Sequence, residues 1–423
     1  MDFLYPLANF LQPGILWPLL APFKPMLLLS AICIGYAMIS RATTEKRAVS
    51  FTHPVFVWAC LFVFVQIISV YYSGFGSLLS ELDFWNVFPM FMIVSMLLIR
   101  DGQSLVRYVW GMLFGSAVVI VTGIVYVFMG KLAAVGNRAG AYGMYENHND
   151  YTFIIIMSLP FAWLLVPTTQ GRLKKLFLMA YCAAGAFGAL LSLSRGGIIA
   201  LVLQVGLIIW LTTRGRTRIA SIVLVGILGA GVVVHQWIAR DENQAGNYSS
   251  DDAKNSRFEL WRAGSKMIQA HPLLGVGSRR FGEFATDYSE ISHDNLGKNA
   301  HNTVIEVFAT SGLLGITTFL GMIVAILRSV RYRPNMSKRY DALRLATQIA
   351  IVSILFRSMF DAKSYDWSYY TLAAIAVALA AIARQETVES VGQEPVPGPA
   401  RMPAEARTNA RPNVYGTRAL RPR

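Results

Sequence analysis

The residues of this chain that could do chemistry are a histidine at the head of an apolar run and a set of arginines at the edges of, or inside, other apolar runs. His301-Asn302 stands where a polar stretch ends and Thr303 to Gly315 begins. An imidazole there is either an interfacial side chain of no consequence or a proton acceptor working at the membrane surface, and Asn302 is the amide beside it, a candidate substrate contact. Ser194-Arg195-Gly196-Gly197 lies between two apolar runs in a very short connection. An arginine at membrane depth costs about 2.5 to 3.5 kcal/mol, so Arg195 needs an anion, a carbonyl or water. Snorkelling to the interface would satisfy it. The two glycines favour an anion, because they leave backbone N–H groups open and admit a bulky phosphate.

Other cations admit two readings each. Arg257, within Ser256-Arg257-Phe258-Glu259-Leu260-Trp261, is a solvated helix charge paired with Glu259 or Asp252, or an anion ligand. Arg279 and Arg280 follow the Gly275 to Gly277 turn, and Arg138 stands in a polar connection upstream; Arg138 and Arg280 are further candidate anion contacts. Arg357 is embedded in an apolar run with Asp361 at i+4, so it forms an internal ion pair or binds an anion. Asn149-Asp150 would cap a helix or touch substrate. The six histidines show no metal-ligand spacing. Glu81-Leu82-Asp83 is the one acidic pair suggestive of a divalent ion, and two such acids are common on interfacial stretches.

The elements that must position these residues are membrane helices. The chain has 423 residues, 54% hydrophobic and only 15% charged, with mean hydropathy +0.45, too apolar for a soluble chain of this size. Apolar runs at 7–22, 26–40, 54–72, 85–99, 104–129, 151–168, 176–193, 198–213, 219–237, 302–327, 345–360 and 369–383 predict an all-α polytopic protein of about twelve transmembrane helices. The first run is broken by Pro13 and Pro18, so it is read as bent or half-inserted, and eleven is the other count. No small-residue cleavage site follows it, so a removed signal peptide is not expected. Cys33, Cys60 and Cys182 lie in apolar runs and read as fillers.

Alternate connections carry the lysines and arginines: Arg41, Lys46 and Arg47; Arg100 and Arg107; Arg172, Lys174 and Lys175; Arg214, Arg216 and Arg218; Arg328 to Arg344. The intervening connections, 73–84, 130–150 and 361–368, are poor in them. The basic set is therefore expected in the cytoplasm. Much of the net charge of +14 is then a topology signal, and nucleic acid is not needed to explain it. The same alternation puts one large hydrophilic loop, 238–300, on the outer face between the ninth and tenth spans. The reading divides the chain into N-terminal transmembrane helices at 1–237, a helical lid at 238–300 with Phe258, Trp261 and Met267 as apolar positions, C-terminal transmembrane helices at 301–384, and a disordered cytoplasmic tail at 385–423. No internal repeat suggests a transporter of inverted halves.

Taken in order, Ser194-Arg195-Gly196-Gly197, Ser256-Arg257 to Trp261, His271-Pro272-Leu273-Leu274-Gly275-Val276-Gly277, and His301-Asn302 followed by Gly312-x-x-Gly315 resemble the O-antigen ligase family and its wider ligase/polymerase superfamily over about residues 130 to 380. The His-Asn and two-glycine motif is fairly specific; the Ser-Arg-Gly-Gly element alone is not. The resemblance implies a glycosyltransferase of the bacterial inner membrane, with its active site in the periplasm. It would move O-antigen polysaccharide from undecaprenyl pyrophosphate to lipid A-core oligosaccharide, by inversion, with no metal and no cofactor. Its partners would be those two substrates and membrane lipids. The residues suit that work: arginine forks neutralise a pyrophosphate leaving group, and a near-neutral imidazole deprotonates an acceptor hydroxyl. Arg195 and Arg257 are the expected pyrophosphate ligands, and His301 the base. An O-antigen polymerase uses the same donor with a lipid-linked acceptor, and a protein O-oligosaccharyltransferase is a third relative. A lipid-linked-oligosaccharide flippase, from a different class, would want the arginines but not the base.

Overall fold

A computed structural model describes residues 1–42, 50–74, 78–131, 138–243, 250–333 and 336–392. The regular elements among them are all helical: α1 (Leu4–Leu11), α2 (Pro13–Leu16), α3 (Pro25–Ala42), α4 (Pro54–Tyr72), α5 (Leu78–Leu98), α6 (Gly102–Phe128), α7 (His148–Leu165), α8 (Arg172–Leu191), α9 (Arg195–Thr212), α10 (Gly215–Asn243), α11 (Ser250–Ala270), α12 (Phe281–Tyr288), α13 (Thr303–Ser329), α14 (Lys338–Arg357) and α15 (Trp367–Gly392), with short 3-10 turns between some of them. Nine are long and apolar enough to cross a membrane: α4, α5, α6, α8, α9, α10, α13, α14 with its 3-10 extension, and α15.

The other three apolar runs of the sequence differ for visible reasons. Prolines at 13, 18 and 22 remove backbone donors, so the first run becomes α1, α2 and a 3-10 turn rather than one rod. The apolar part of α3, Pro25–Ser40, is short for a span. The third, α7, opens on His148-Asn149-Asp150, which lowers its apolar character although most of its length is buried. At the other terminus, α15 runs on to Gly392, past the expected start of a tail at 385; residues 393–423 lie outside the described residues, as does the side chain of Asp252.

The connections that charge alternation assigns to one side meet at one end of the bundle. Ser73 packs at Gly277, Arg279 pairs with Glu81, Ser194 bonds Asn149, and Thr303 bonds the carbonyl of Asp361. The basic connections meet at the other end, where Arg339 reaches the carbonyl of Thr168 and Tyr340 packs on Gly102.

The helix α13 is broken. Gly312 has φ +64° and ψ −162°, a conformation that a side chain would strain. A Cβ there would strike the backbone of Leu273 and Leu274. The close neighbour at Gly312 is the loop His271 to Gly277, dipping into the break. Its backbone takes up the groups the break frees: Val276 and Gly277 donate to the carbonyls of Ala309 and Thr310, and Leu313 and Leu314 donate to those of Pro272 and Leu273. Ser69 Oγ on α4 bonds the carbonyls of Leu274 and Thr310, and Gln66 Oε1 accepts from Ser278 and Ser311. Irregular backbone at this depth is tolerated because protein surrounds it. The helices α11 and α12 are fastened to the first half of α13 through a small core of Leu260, Ala263, Met267, Phe281 and Ala285 against Ala309 and Ile305. Phe258 is not in that core. It sits two residues before Leu260, on another face of α11, and is 63% exposed.

Candidate active site

The ring of His301 is presented by a clamped turn. His301 itself has φ +49°, and its neighbours are tied on both sides. Trp261 Nε1 on α11 donates to the carbonyl of Ala300 at 2.9 Å, and the N–H of Ala300 donates to Glu306 Oε2 at 2.7 Å. Next in the chain, Asn302 caps α13, its Oδ1 accepting from Val304 and Ile305 at 3.0 and 3.2 Å. Thr303 Oγ1 then donates to the carbonyl of Asp361 and accepts from the N–H of Lys363. So Trp261, partly buried, works through its indole N–H. Asn302, expected as a substrate contact, spends its carbonyl oxygen on the helix N-terminus.

Arg195 is the first residue of α9 and half-buried. Ser194 caps that helix, its Oγ accepting from Gly197 N–H at 3.3 Å and donating to Asn149 Oδ1 at 2.8 Å. The glycines do a different job from the one expected of them. A Cβ on Gly197 would strike Thr152, and one on Gly196 would come within 2.9 Å of Phe360 and 3.3 Å of Arg357 Nη1. They bring α7 and α14 against α9 rather than leaving room for an anion. Arg138 donates through Nε and Nη2 to the carbonyls of Ser192 and Leu193, both at 3.1 Å. It thus braces the turn that aims Arg195. The cap of α7 is Asn147, not Asn149 or Asp150, which leaves those two side chains for the site.

Asp361 is where these pieces converge. Its carboxylate lies 3.7 Å from His301 Nδ1, 3.9 Å from Arg357 Nη2 and 3.8 Å from Lys363 Nζ. Burial alone would raise the Asp361 carboxyl, but Lys363, His301 and Arg357 hold it well below the usual carboxylate range. Lys363 also pairs with Asp150 at the head of α7. Burial opposes its charge, yet Asp361, Asp150 and Asp366 keep the ammonium well above the ordinary lysine value. Arg257 enters from α11. Partial burial lowers its pKa, the like charge of Arg195 pushes the same way, and Asp361 opposes both. Its surface stays exposed, so the desolvation is modest; the informative point is that Arg257 lies within electrostatic reach of both Arg195 and Asp361.

Arg357 is the most unusual member. It is 1% exposed, and among the described residues none of its three guanidinium nitrogens finds a hydrogen-bond partner. Its ion pair with Asp361, at 3.9 Å, is too long for a hydrogen bond. A buried guanidinium with five unused donors is costly, and an anion brought to this cluster would offset that cost.

The structure thus brings Arg257, Arg357 and His301 around Asp361, with Arg195 within reach of Arg257. Arg280 is engaged elsewhere, donating to Glu283 at 2.8 Å at the start of α12. Glu81 and Asp83 do not converge: two residues apart on α5, they point to different faces, Glu81 toward Arg279 and Asp83 into a cavity beside Tyr5 and Asn86. Among the described residues no cluster of His, Cys, Asp or Glu could hold a metal ion. Sequence reading missed Lys363 and the Asp361 contact to His301. The available signal was a lone lysine flanked by Asp361 and Asp366 in a connection otherwise without cations.

Residues 180–320 match the family model described as O-Antigen ligase. The match runs from within α8 to within α13, so it includes Arg195, Arg257 and His301 and stops before Arg357, Asp361 and Lys363. It supports the O-antigen ligase/polymerase superfamily, whose domain implies glycosyl transfer. No curated protein matched the chain.

Proposed function

We propose, from the premise that this chain belongs to the O-antigen ligase/polymerase superfamily, that it is an O-antigen ligase transferring a glycan from undecaprenyl pyrophosphate to the lipid A-core oligosaccharide. The work is done at the periplasmic face of the inner membrane. The observation that carries the reading is the gathering of arginines about the carboxylate that faces His301: Arg357, unsatisfied among the described residues, Arg257, and Arg195 next to Arg257.

In this reading the pyrophosphate lies against Arg195 and Arg257 at the N-terminus of α9, whose dipole favours an anion. Arg357 adds charge from beneath. Asp361 faces Nδ1 of His301, which favours the tautomer carrying its proton there and leaves Nε2 to accept the acceptor hydroxyl's proton. The hydroxyl oxygen forms its bond to the anomeric carbon as the bond to the pyrophosphate oxygen breaks, and the leaving charge remains on the arginines. One base and no nucleophile fit direct displacement with inversion. Lys363 and Asp150 are positioning residues that hold Asp361 in place. A single dominant lid loop favours the ligase over the polymerase, and the base disfavours a flippase.

The test is purified protein given the lipid-linked glycan with either lipid A-core or a second lipid-linked glycan. Extension of lipid A-core, lost in His301→Ala with protein level and donor binding retained, is expected. Extension of the second lipid-linked glycan instead makes the enzyme a polymerase, and extension of neither argues for transport.

A further inference from the structure

The opposite end of the bundle holds a second group of converging cations, away from the one above. A cavity of about 290 Å³ opens between α4, α13 and α15, and three arginines line it: Arg328 at the end of α13, Arg333 just beyond it, and Arg384 from α15. Among the described residues its lining contains no carboxylate. His53 completes the polar part. Its Nδ1 accepts from the N–H of Val55 at 3.3 Å, so the ring proton sits on Nε2. Burial lowers the His53 pKa and Arg384 lowers it further, so the ring is neutral near pH 7 and offers a donor rather than a charge.

The rest of the cavity wall is apolar. Trp58 lies flat against α13 because Gly321 has no side chain; a Cβ there would meet the indole ring at 2.5 to 2.8 Å. Beyond it, Leu320 and Val324 are 42% and 43% exposed on α13, a face that meets acyl chains in a membrane. Cations at the basic ends of membrane helices are ordinary, but topology alone asks only that they reach the cytoplasmic side. It does not ask that three converge, with no carboxylate among the described lining residues, on one cavity backed by a tryptophan and an exposed apolar face of α13. A free phosphate would need the arginines and not the apolar face. A lipid with an anionic headgroup uses both.

We propose that the cavity lined by His53, Arg328, Arg333 and Arg384 binds the phosphodiester headgroup of an anionic glycerophospholipid, with an acyl chain lying along α13 past Trp58. The site is distinct from the donor site, more than twenty residues away along α13.

The test uses full-length protein in a mild detergent, with thermal melts on addition of phosphatidylglycerol, phosphatidylcholine or inorganic phosphate, and native mass spectrometry to count bound lipid. Phosphatidylglycerol should raise the melting temperature and remain bound at one copy; the other two should not. Arg328→Gln/Arg333→Gln/Arg384→Gln should raise the half-saturating phosphatidylglycerol concentration at least about tenfold, while Arg195→Gln leaves it unchanged. If the triple variant does not fold, Arg384→Gln alone should reduce the lipid-bound fraction severalfold. An equal response to phosphatidylcholine, or unchanged saturation in the variants, overturns the site. An equal shift with inorganic phosphate overturns the lipid as its occupant.

Discussion

Replacing Asp361 by asparagine removes one negative charge from the midst of three positive or protonatable groups at 3.7 to 3.9 Å. At an effective dielectric near 20, one such pair is worth roughly 4 kcal/mol. Lys363 keeps Asp150 as a partner, so the uncompensated charge falls mainly on buried Arg357, and the loss of stability should be about 3 to 5 kcal/mol. Asparagine can still accept from the N–H of Ala362, as Asp361 does now, so the local turn need not unravel. His301 is 34% exposed on its side chain, and water screens its share; about 2 kcal/mol, or roughly thirtyfold in rate, is the expected catalytic loss. The two effects separate in a cycle with Arg357→Met. Once the guanidinium is gone, Asp361→Asn should cost much less in stability, with a coupling of about 1 to 3 kcal/mol, whereas the rate loss should persist. The assays are melting temperature in detergent and initial rates of glycan transfer. Single-variant losses in melting stability that simply add would refute the energetic tie between carboxylate and guanidinium; an unchanged rate in Asp361→Asn would refute its role in aiming the base. The pH dependence has a definite sign. A carboxyl held below its ordinary value contributes stability that is fully present above the unfolded-state pKa and is lost as pH falls through the folded value. Wild type should therefore lose melting temperature below about pH 4 more steeply than Asp361→Asn.

Arg195→Lys and Arg257→Lys should each weaken donor use by about 10- to 100-fold, because an ammonium keeps the charge and loses the two-pronged hydrogen bond; full activity in both would reduce their role to simple charge. Trp261→Phe removes the bond to the Ala300 carbonyl and should lower kcat about fivefold with donor KM unchanged, one neutral hydrogen bond being worth about 1 kcal/mol; a KM effect alone would contradict its placement behind His301. Gly312→Ala forces a side chain into a left-handed position against the Leu273 backbone and should cost about 1 to 3 kcal/mol, seen as a lower melting temperature; a neutral result would mean that α13 is not broken there in solution. Transfer should continue in the presence of a strong chelator, and loss restored by magnesium would bring Glu81 and Asp83 back as metal ligands.

The sequence made the apolar runs legible because a membrane imposes length and composition on whatever crosses it. Charge alternation went further: it grouped 73–84, 130–150, 238–300 and 361–368 before any contact was known, and described residues of those connections meet. What it could not show is how a polar group is spent. Asn302 and His301 are adjacent and similar in character, yet one caps a helix and the other faces a carboxylate, because φ of +49° at His301 turns the chain between them. Gly196 and Gly197 looked like space for an anion, and the space is filled by Phe360, Arg357 and Thr152. Arg357 and Asp361 were legible as an i, i+4 pair, but the pairing is loose, and the missing hydrogen bonds are visible only once every neighbour is in place. Those unfilled donors bear directly on the mechanism. A guanidinium buried with no hydrogen-bond acceptor among the described residues, near a further arginine and sharing a carboxylate with an imidazole, is incompletely neutralised, and in the proposed reaction that residual field is what a doubly charged leaving group would meet.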